Sequence, residues 1–230
     1  MIGPPPSPRG CFVTGTDTGI GKTHASCAIL AALRARGLRA TGMKPVASGS
    51  RVTAEGLRNE DAEALIAASD PVPEYADCNP LAFEPPIAPH LAALLAGRPI
   101  TLAPLRAAQA RLAAAADRVV VEGVGGWSVP FSDSLDQADL VRELDLPVVL
   151  VVGLRLGCLN HARLSARAIS ADGCRLAGWI ANRIDPEMDL ADDNIATLRA
   201  RIDAPLLGIL PHGPLAASAP SPSALDVSAL

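Results

Sequence analysis

Residues 11–23, CFVTGTDTGIGKT, decide the fold of this chain. The first three are apolar, which is typical of the end of a buried strand. A glycine-rich turn follows, and the segment after Gly21, Lys22 and Thr23 carries apolar residues at helical spacing. This order of strand, turn and helix is typical of a phosphate-binding loop (P loop). There, backbone N–H groups bind phosphate oxygens, the lysine contacts the β- and γ-phosphates, and the threonine hydroxyl binds Mg²⁺.

The loop departs from the usual P-loop spacing of one glycine, four residues and then Gly-Lys. That first glycine would fall at position 16, which is Thr16, and Gly15 stands one residue earlier. The alternative interpretation is an ordinary glycine-rich turn between a strand and a helix. We favour a variant P loop, because Gly-Lys-Thr stands where the helix should begin.

Composition argues against several classes of protein. The chain has 230 residues, of which 49% are hydrophobic and 3% aromatic, and its net charge is −4. It has no basic run, so we expect no nucleic-acid partner. Its apolar runs are too short to cross a bilayer, and its start lacks the apolar centre of a signal peptide, so we expect no membrane contact. The five scattered cysteines are typical of reduced thiols, which indicates a cytoplasmic location.

Apolar strands alternate with helical patterns along the chain. Continuous apolar strands are typical of a parallel sheet covered on both faces by helices. The sequence therefore predicts an α/β fold of the P-loop NTPase type, a three-layer sandwich with a mainly parallel central sheet flanked by helices, in a single domain of residues 1–230. Residues 1–9 and 214–230 are expected to be loose tails.

Strands are predicted at 11–13, 38–43, 118–123, 147–152, 176–181 and 205–210, and helices at 22–36, 61–69, 88–96, 101–116, 135–144, up to 173, and 189–201. Residues 71–90 are rich in proline and are expected to be irregular. Ser132 and Asp133 are the predicted cap of the helix at 135–144.

Polar side chains follow two of these strands. Lys44 and Ser48 come after the second strand, and Glu122 ends the strand at 118–123. Open α/β sheets bind ligands at this edge, and P-loop proteins hold Mg²⁺ with an acidic residue there. The alternatives are a solvated loop for Lys44 and Ser48, a helix cap for Asp61, and a simple strand terminator for Glu122. For Glu122 we favour metal binding.

Six blocks of the chain resemble the dethiobiotin synthetase family of ATP-dependent enzymes. They are FVTGTDTGIGKT, KPVASGS, GLRNEDA, VVVEGVGGW, VVGLRLGCLNHA and GWIANR, and the resemblance as a whole spans about residues 11–213. Many families share the phosphate loop, whereas the KPVASGS and LGCLNHA blocks are far more specific.

The resemblance implies a reaction of biotin biosynthesis. In it, 7,8-diaminopelargonic acid (7,8-diaminononanoate), CO₂ or bicarbonate, and ATP give dethiobiotin, ADP and phosphate, through a carbamate and a carbamic–phosphoric anhydride. Mg²⁺ is the implied cofactor and ATP the co-substrate. The resemblance also implies a homodimer with its sites at the subunit interface.

The resemblance further implies a role for each matching residue. Lys22 and Lys44 would be catalytic, and the Mg²⁺ ligands would be Thr23, Asp61 and Glu122. Substrate contacts would come from Thr18, Ser48 and Glu122, and from Asn160 of the neighbouring subunit. Asn182 would read adenine. The nucleotide and its metal would be bound by Gly19, Ile20, Gly21, Lys22, Thr23, His24, Asp61, Glu122, Gly123, Val124, Gly125, Asn182, Arg183, Pro211, His212 and Gly213.

The chain departs from the family at two positions, and two other classes compete with it. Gly19 and Arg183 stand where some members carry glutamate and aspartate, which leaves the choice of ATP over other nucleotides open. A nucleotide-switch ATPase of the chromosome-partitioning type usually has an extra lysine early in the loop, where this chain has Asp17 and Thr18. An amidotransferase of the cobyric-acid type needs a glutaminase part, for which 230 residues leave no room. We therefore prefer the synthetase.

Overall fold

The apolar strands form one central sheet in a computed structural model, which describes residues 10–213 and 225–230. The strands are β1 (Gly10–Gly15), β2 (Ala40–Met43), β3 (Val46–Ala47), β4 (Arg51–Thr53), β5 (Gly56–Arg58), β6 (Leu81–Ala82), β7 (Arg118–Glu122), β8 (Val148–Gly153), β9 (Leu176–Asn182) and β10 (Leu206–Leu210). Six of them pair side by side in the order β10-β9-β8-β1-β7-β2, and every pair is parallel.

Helices cover both faces of this sheet. They are α1 (Lys22–Ala35), α2 (Glu60–Ala68), α3 (Tyr75–Cys78), α4 (Pro89–Leu95), α5 (Leu102–Ala115), α6 (Gln137–Leu144), α7 (Cys158–Ala171) and α8 (Ala191–Arg199). In β8, Leu150 packs in a core with helices α4 to α8, whereas its neighbour Val149 packs in a core with α1 and α2. This alternation follows from the two-residue repeat of a strand. The predicted three-layer α/β fold is confirmed.

The carboxyl ends of the parallel strands meet at one edge, which positions the site. β1 runs into the P loop, and α1 begins at Lys22 after Gly21, whose φ of 84° lies in the left-handed region. Glu122 is the last residue of β7, and Asn182 is the last of β9. Side chains far apart in the sequence are therefore brought to the same edge.

Three local features differ from the sequence prediction. Residues 51–58 form the hairpin β4–β5, and within the stretch 71–90 that we expected to be irregular the structure has α3 and the short strand β6, which pairs with β3. Helix α6 is capped by Asp136, which exchanges hydrogen bonds with Asp139 as a capping box. The prediction of a cap at Ser132 and Asp133 is wrong, because the chain from Phe131 to Leu135 closes a turn first.

The end of the chain packs against the sheet. Leu225, Val227 and Leu230 are buried, and Leu225 forms an antiparallel bridge with Gly208 of β10. Arg118 donates its Nε–H to the Leu230 carbonyl at 3.1 Å. The prediction of a loose tail is therefore wrong for residues 225–230, because apolar side chains at 225, 227 and 230 find a place in the core.

The predicted loose segments 1–9 and 214–224 lie outside the described residues. That the chain is one domain stays a prediction. Within the described part, the structure has no helix with the length and apolar character needed to span a bilayer.

Candidate functional site

A cavity of about 770 Å³ lies at the carboxyl edge of the sheet, between the P loop and the loops that follow β2 and β7. Its size suits a small-molecule ligand. Eleven of the predicted site residues line it, namely Thr18, Gly19, Gly21, Lys22, Thr23, Lys44, Ser48, Asp61, Glu122, Val124 and Gly125. The predicted phosphate, metal and substrate residues are therefore brought largely together.

The most constrained group in the cavity is the Lys44 ammonium. Its Nζ donates to Glu122 Oε1 at 2.7 Å, to Asp61 Oδ2 at 2.8 Å and to the Gly123 carbonyl at 3.2 Å. Lys44 and Glu122 are buried, and Asp61 is partly exposed. The strand ends explain the meeting, since Lys44 directly follows β2, which pairs with β7, and Glu122 ends β7. Helix α2 adds Asp61 from its first turn.

Mutual electrostatics set the ionisation of this cluster. Burial opposes the charge on Lys44, but Glu122 and Asp61 together raise the pKa of its ammonium above the usual value. Burial likewise opposes the charge of Asp61, but Lys44 lowers the pKa of this carboxyl. Lys22 is different, because burial and then repulsion by Lys44 lower its pKa to about 8. Two lysines and two carboxylates thus share one confined space.

Thr23, Asp61 and Glu122 fit a Mg²⁺ ion. The Thr23 hydroxyl oxygen lies 2.7 Å from Asp61 Oδ1 and 3.0 Å from Glu122 Oε1. Adjacent ligands of an octahedral Mg²⁺ lie about 3.0 Å apart, given metal–oxygen distances of about 2.1 Å. Glu122 Oε2 is buried without a hydrogen-bond partner among the described residues, so an acceptor oxygen is left over.

The ligand set is incomplete by itself. Across residues 10–213 and 225–230 there is no group of three or more His, Cys, Asp or Glu side chains that could hold a metal. Two carboxylates and one hydroxyl leave further positions of an octahedral shell, and Mg²⁺ commonly takes these from phosphate oxygens and water. The site therefore fits a metal that arrives with a nucleotide.

The P loop is held by contacts with the ends of β8 and β9, which lie on the same side of β1. The Thr16 N–H donates to the Val151 carbonyl at 3.0 Å, and Asp17 forms an ion pair with Arg155 at 2.5 Å. From the end of β9, the Asn182 amide Nδ2 donates to the Ile20 carbonyl at 2.8 Å. Lys22 donates its Nζ–H to the Asp17 carbonyl at 2.9 Å within the loop. These contacts preorganise the loop for phosphate.

Asn182 also explains the glycine at position 21. A Cβ added to Gly21 would lie 2.1 Å from Asn182 Nδ2, so the amide fills the space that the glycine leaves. Asn182 is only 3% exposed. One hydrogen of its amide is therefore committed to the loop, and its role in reading adenine stays a prediction.

The remaining predicted residues lie outside the cavity wall. Ile20 and His24 are buried behind the P loop, and Gly123 lies beside Glu122 with its carbonyl on Lys44. Arg183 follows β9, where its guanidinium forms an ion pair with Asp192 at 2.5 Å.

The segment after β10 lies next to Arg183. The Arg183 N–H donates to the Leu210 carbonyl at 3.0 Å, and Pro211, His212 and Gly213 follow directly. His212 Nδ1 lies 3.3 Å from the Arg183 carbonyl. These residues form a separate group at the same edge of the sheet, and their role around the base stays a prediction.

Asn160 lies in the first turn of α7 and is exposed to solvent. It is not among the described residues that line the cavity of its own chain. The resemblance predicted that it serves the neighbouring subunit, and this position is compatible with that role.

Sequence reasoning missed one wall of the cavity and its support. The missed lining residues are Pro86, Ile87, Ala88, Pro89, Ser128, Val129 and Pro130. Pro89 at the start of α4 was an available signal, since proline favours the first turn of a helix.

The support is the buried side chain of Gln137. Its Oε1 accepts the Val124 N–H at 2.8 Å, and its Nε2 donates to the Gly126 carbonyl at 2.8 Å. It thereby holds the glycine loop after β7 against the cavity. No local pattern marked this glutamine.

Known proteins resemble this chain over almost its whole length. A family profile described as AAA domain matches residues 9–219. The ATP-dependent dethiobiotin synthetase BioD of Xanthomonas euvesicatoria pv. vesicatoria (strain 85-10) is 61% identical over 88% of this chain and 91% of its own length. That of Xylella fastidiosa (strain 9a5c) is 61% identical over 88% and 90%. That of Xanthomonas oryzae pv. oryzae (strain PXO99A) is 57% identical over 96% and 98%.

Solved structures agree on the fold at much lower identity. A ParA family ATPase from Chlorobium tepidum TLS has a TM-score of 0.54 at 14% identity, over 89% of this chain and 85% of its own. The MinC:MinD cell division protein complex of Aquifex aeolicus has a TM-score of 0.53 at 16% identity, over 89% and 81%. These likenesses concern the P-loop NTPase fold alone. The extent and identity of the curated matches go further, and the chain belongs to the ATP-dependent dethiobiotin synthetase family of ligases.

Proposed function

We propose that this chain uses ATP to carboxylate 7,8-diaminopelargonic acid and close its ureido ring, giving dethiobiotin, ADP and phosphate. The observation that carries the proposal is the Lys44 ammonium, held between Glu122 and Asp61 opposite the P loop in one cavity. Family membership supports an ATP-dependent role in biotin biosynthesis.

The proposed reaction has three steps. One amine of the diamine adds to CO₂, forms an N–C bond and releases a proton, which gives a carbamate. A carbamate oxygen then attacks the γ-phosphorus of ATP, and the bond to ADP breaks. Finally the second amine attacks the carbonyl carbon of the anhydride, phosphate leaves, and the ring closes with loss of a proton.

Phosphoryl transfer of this kind depends on alignment and on neutralised charge more than on a strong base. The P-loop N–H groups and Lys22 would bind the β- and γ-phosphates. Lys44 is charged and rigidly held, so it would stabilise the carbamate and the transferring phosphoryl group. A Mg²⁺ ion bound through Thr23, Asp61 and Glu122 would neutralise charge on the phosphates.

The remaining roles follow the cavity. Ser48 and Thr18 line it and would contact the diamine. Asn182, Arg183 and the segment 211–213 would surround the base. The cytoplasmic location stays a prediction.

A test of the reaction measures phosphate release with Mg·ATP and bicarbonate, with and without the diamine. We expect release that depends on the diamine, with one dethiobiotin formed per phosphate. Phosphate release that is independent of the diamine, and is stimulated instead by DNA or by a membrane, would favour a nucleotide-switch ATPase and overturn the proposal.

We also propose a homodimer in which Asn160 serves the partner's site, and mixed subunits test it. Lys22→Gln and Asn160→Ala chains, each inactive or impaired alone, are refolded together. If sites are shared, the mixed dimer contains one site with both Lys22 and Asn160 intact, and turnover returns. If Asn160 acts within its own chain, every mixed site carries one defect and turnover stays low.

A further inference from the structure

Three polar residues outside the cavity wall form a chain of hydrogen bonds. The Tyr75 hydroxyl donates to Asn79 Oδ1 at 3.0 Å and accepts the backbone N–H of Asn59 at 2.8 Å. Asn59 and Asn79 are buried. The Arg58 guanidinium stacks 4.1 Å from the centre of the Tyr75 ring, which keeps the ring in place. We call Tyr75, Asn59 and Asn79 the Tyr75 network.

One end of the Tyr75 network holds the backbone of Lys44. Asn79 Nδ2 donates to the Lys44 carbonyl at 2.6 Å, and the Lys44 N–H donates to the carbonyl of Cys78 at 2.7 Å. The backbone N–H and carbonyl of Lys44 are therefore both held by adjacent residues at the end of α3. These two hydrogen bonds fix the backbone position from which the Lys44 side chain enters the cavity.

The other end holds the start of α2. Asn59 is the N-cap, and its Oδ1 accepts the N–H groups of Asp61 at 3.1 Å and Ala62 at 3.3 Å. Since the Tyr75 hydroxyl binds the Asn59 N–H, the same phenol that reaches Lys44 through Asn79 also orients the helix turn that carries Asp61. Lys44 and Asp61, whose charged groups lie 2.8 Å apart, are therefore also connected through the Tyr75 network.

We propose that Tyr75 and Asn79 are positioning residues, which set the distance between the catalytic lysine Lys44 and the metal-binding carboxylate Asp61. Neither side chain is among the described residues that line the cavity, so both act through others. The kinetic part of this inference rests on the proposed ATP-dependent carboxylation, whereas its binding part concerns only the metal and the nucleotide.

Tyr75→Phe tests the inference, because it removes the hydroxyl and keeps the ring under Arg58. Ser69→Ala is the matched control. The Ser69 side chain is buried, and its hydroxyl accepts one N–H from Gly42 at 2.8 Å and donates to the Leu65 carbonyl at 2.7 Å, at the opposite end of α2. Each variant loses one accepted and one donated hydrogen bond, so we expect a similar fall in melting temperature.

The two variants should differ in function. We expect Tyr75→Phe to lower kcat about 10- to 100-fold, with the KM for ATP little changed, because support behind metal ligands and small misplacements of catalytic groups have effects of this size. Ser69→Ala should keep kcat within about twofold of the wild type. Equal kcat values in the two variants would overturn the inference.

A binding measurement keeps the inference testable without the diamine. Calorimetric titration with ATP in Mg²⁺ and in EDTA gives the Mg²⁺-dependent part of the affinity. We expect this part to fall about 10-fold in Tyr75→Phe and to stay unchanged in Ser69→Ala, while the affinity in EDTA is the same in both. An unchanged Mg²⁺-dependent part in Tyr75→Phe contradicts the inference. Absence of diamine-dependent turnover in the wild type would contradict the proposed function instead.

Discussion

Replacing Lys44 by Met should destabilise the protein as well as stop turnover. The Lys44 side chain is 4% exposed, and that of Glu122 is fully buried. Without the ammonium, Glu122 keeps only the Thr23 hydroxyl as a donor among the described side chains. Breaking a buried ion pair in this way costs about 3–5 kcal/mol. In a chain of this length each kcal/mol shifts Tm by about 2–4 °C, so we expect a fall of about 6–20 °C.

A double variant separates the structural role of Lys44 from its catalytic role. Lys44→Met with Glu122→Gln removes both charges, so most of the lost Tm should return while diamine-dependent phosphate release stays absent. Calorimetric melting and the phosphate assay measure the two effects on the same samples. The reasoning fails if Lys44→Met melts like the wild type, or if either variant turns over the diamine at the wild-type rate.

Three further changes should have separable effects. Gly21→Ala should weaken ATP binding in calorimetry, because the new Cβ would displace the Asn182 amide. Gly37→Ala is the control, since Gly37 has a similar φ of 79° and no atom lies within 4 Å of the new Cβ. It should carry the same backbone cost of about 1–2 kcal/mol and bind ATP normally. Gln137→Leu should lower kcat/KM and Tm together, since two backbone groups of the glycine loop lose a partner, each worth about 1–3 kcal/mol; a wild-type kcat/KM contradicts this. Removing residues 225–230 should lower Tm by several degrees through lost apolar burial and leave kcat unchanged.

The sequence predicted those parts of the site whose residues stand next to a recognisable strand or motif. The P loop and Lys44 directly follow a strand, and Glu122 is the last residue of one. Parallel strands bring such positions to one edge of the sheet. Asp61 was predicted with two interpretations. The interpretation as a helix cap is wrong, because Asn59 is the N-cap of α2. Metal binding stays a prediction, which the contact between the Asp61 carboxylate and the Thr23 hydroxyl supports.

The parts that were missed depend on contacts between distant segments. Tyr75 and Gln137 each act on a loop through hydrogen bonds that no spacing in the sequence reveals. The hairpin at 51–58 is short and exposed, so it carries little apolar periodicity. The docked end at 225–230 did carry a signal, the apolar residues at 225, 227 and 230, but it follows a segment of low complexity.

The central position of β1 has a consequence for how the protein is made. The P loop leaves the ribosome well before Val151 and Asn182, on which its conformation depends. These two residues follow their partners Thr16 and Ile20 by more than 130 residues. Because chains are synthesised from the N-terminus, a nascent chain cannot present a finished nucleotide site until β9 has emerged. Truncated products that end before Asn182 should therefore not sequester ATP, although they contain the whole glycine-rich motif.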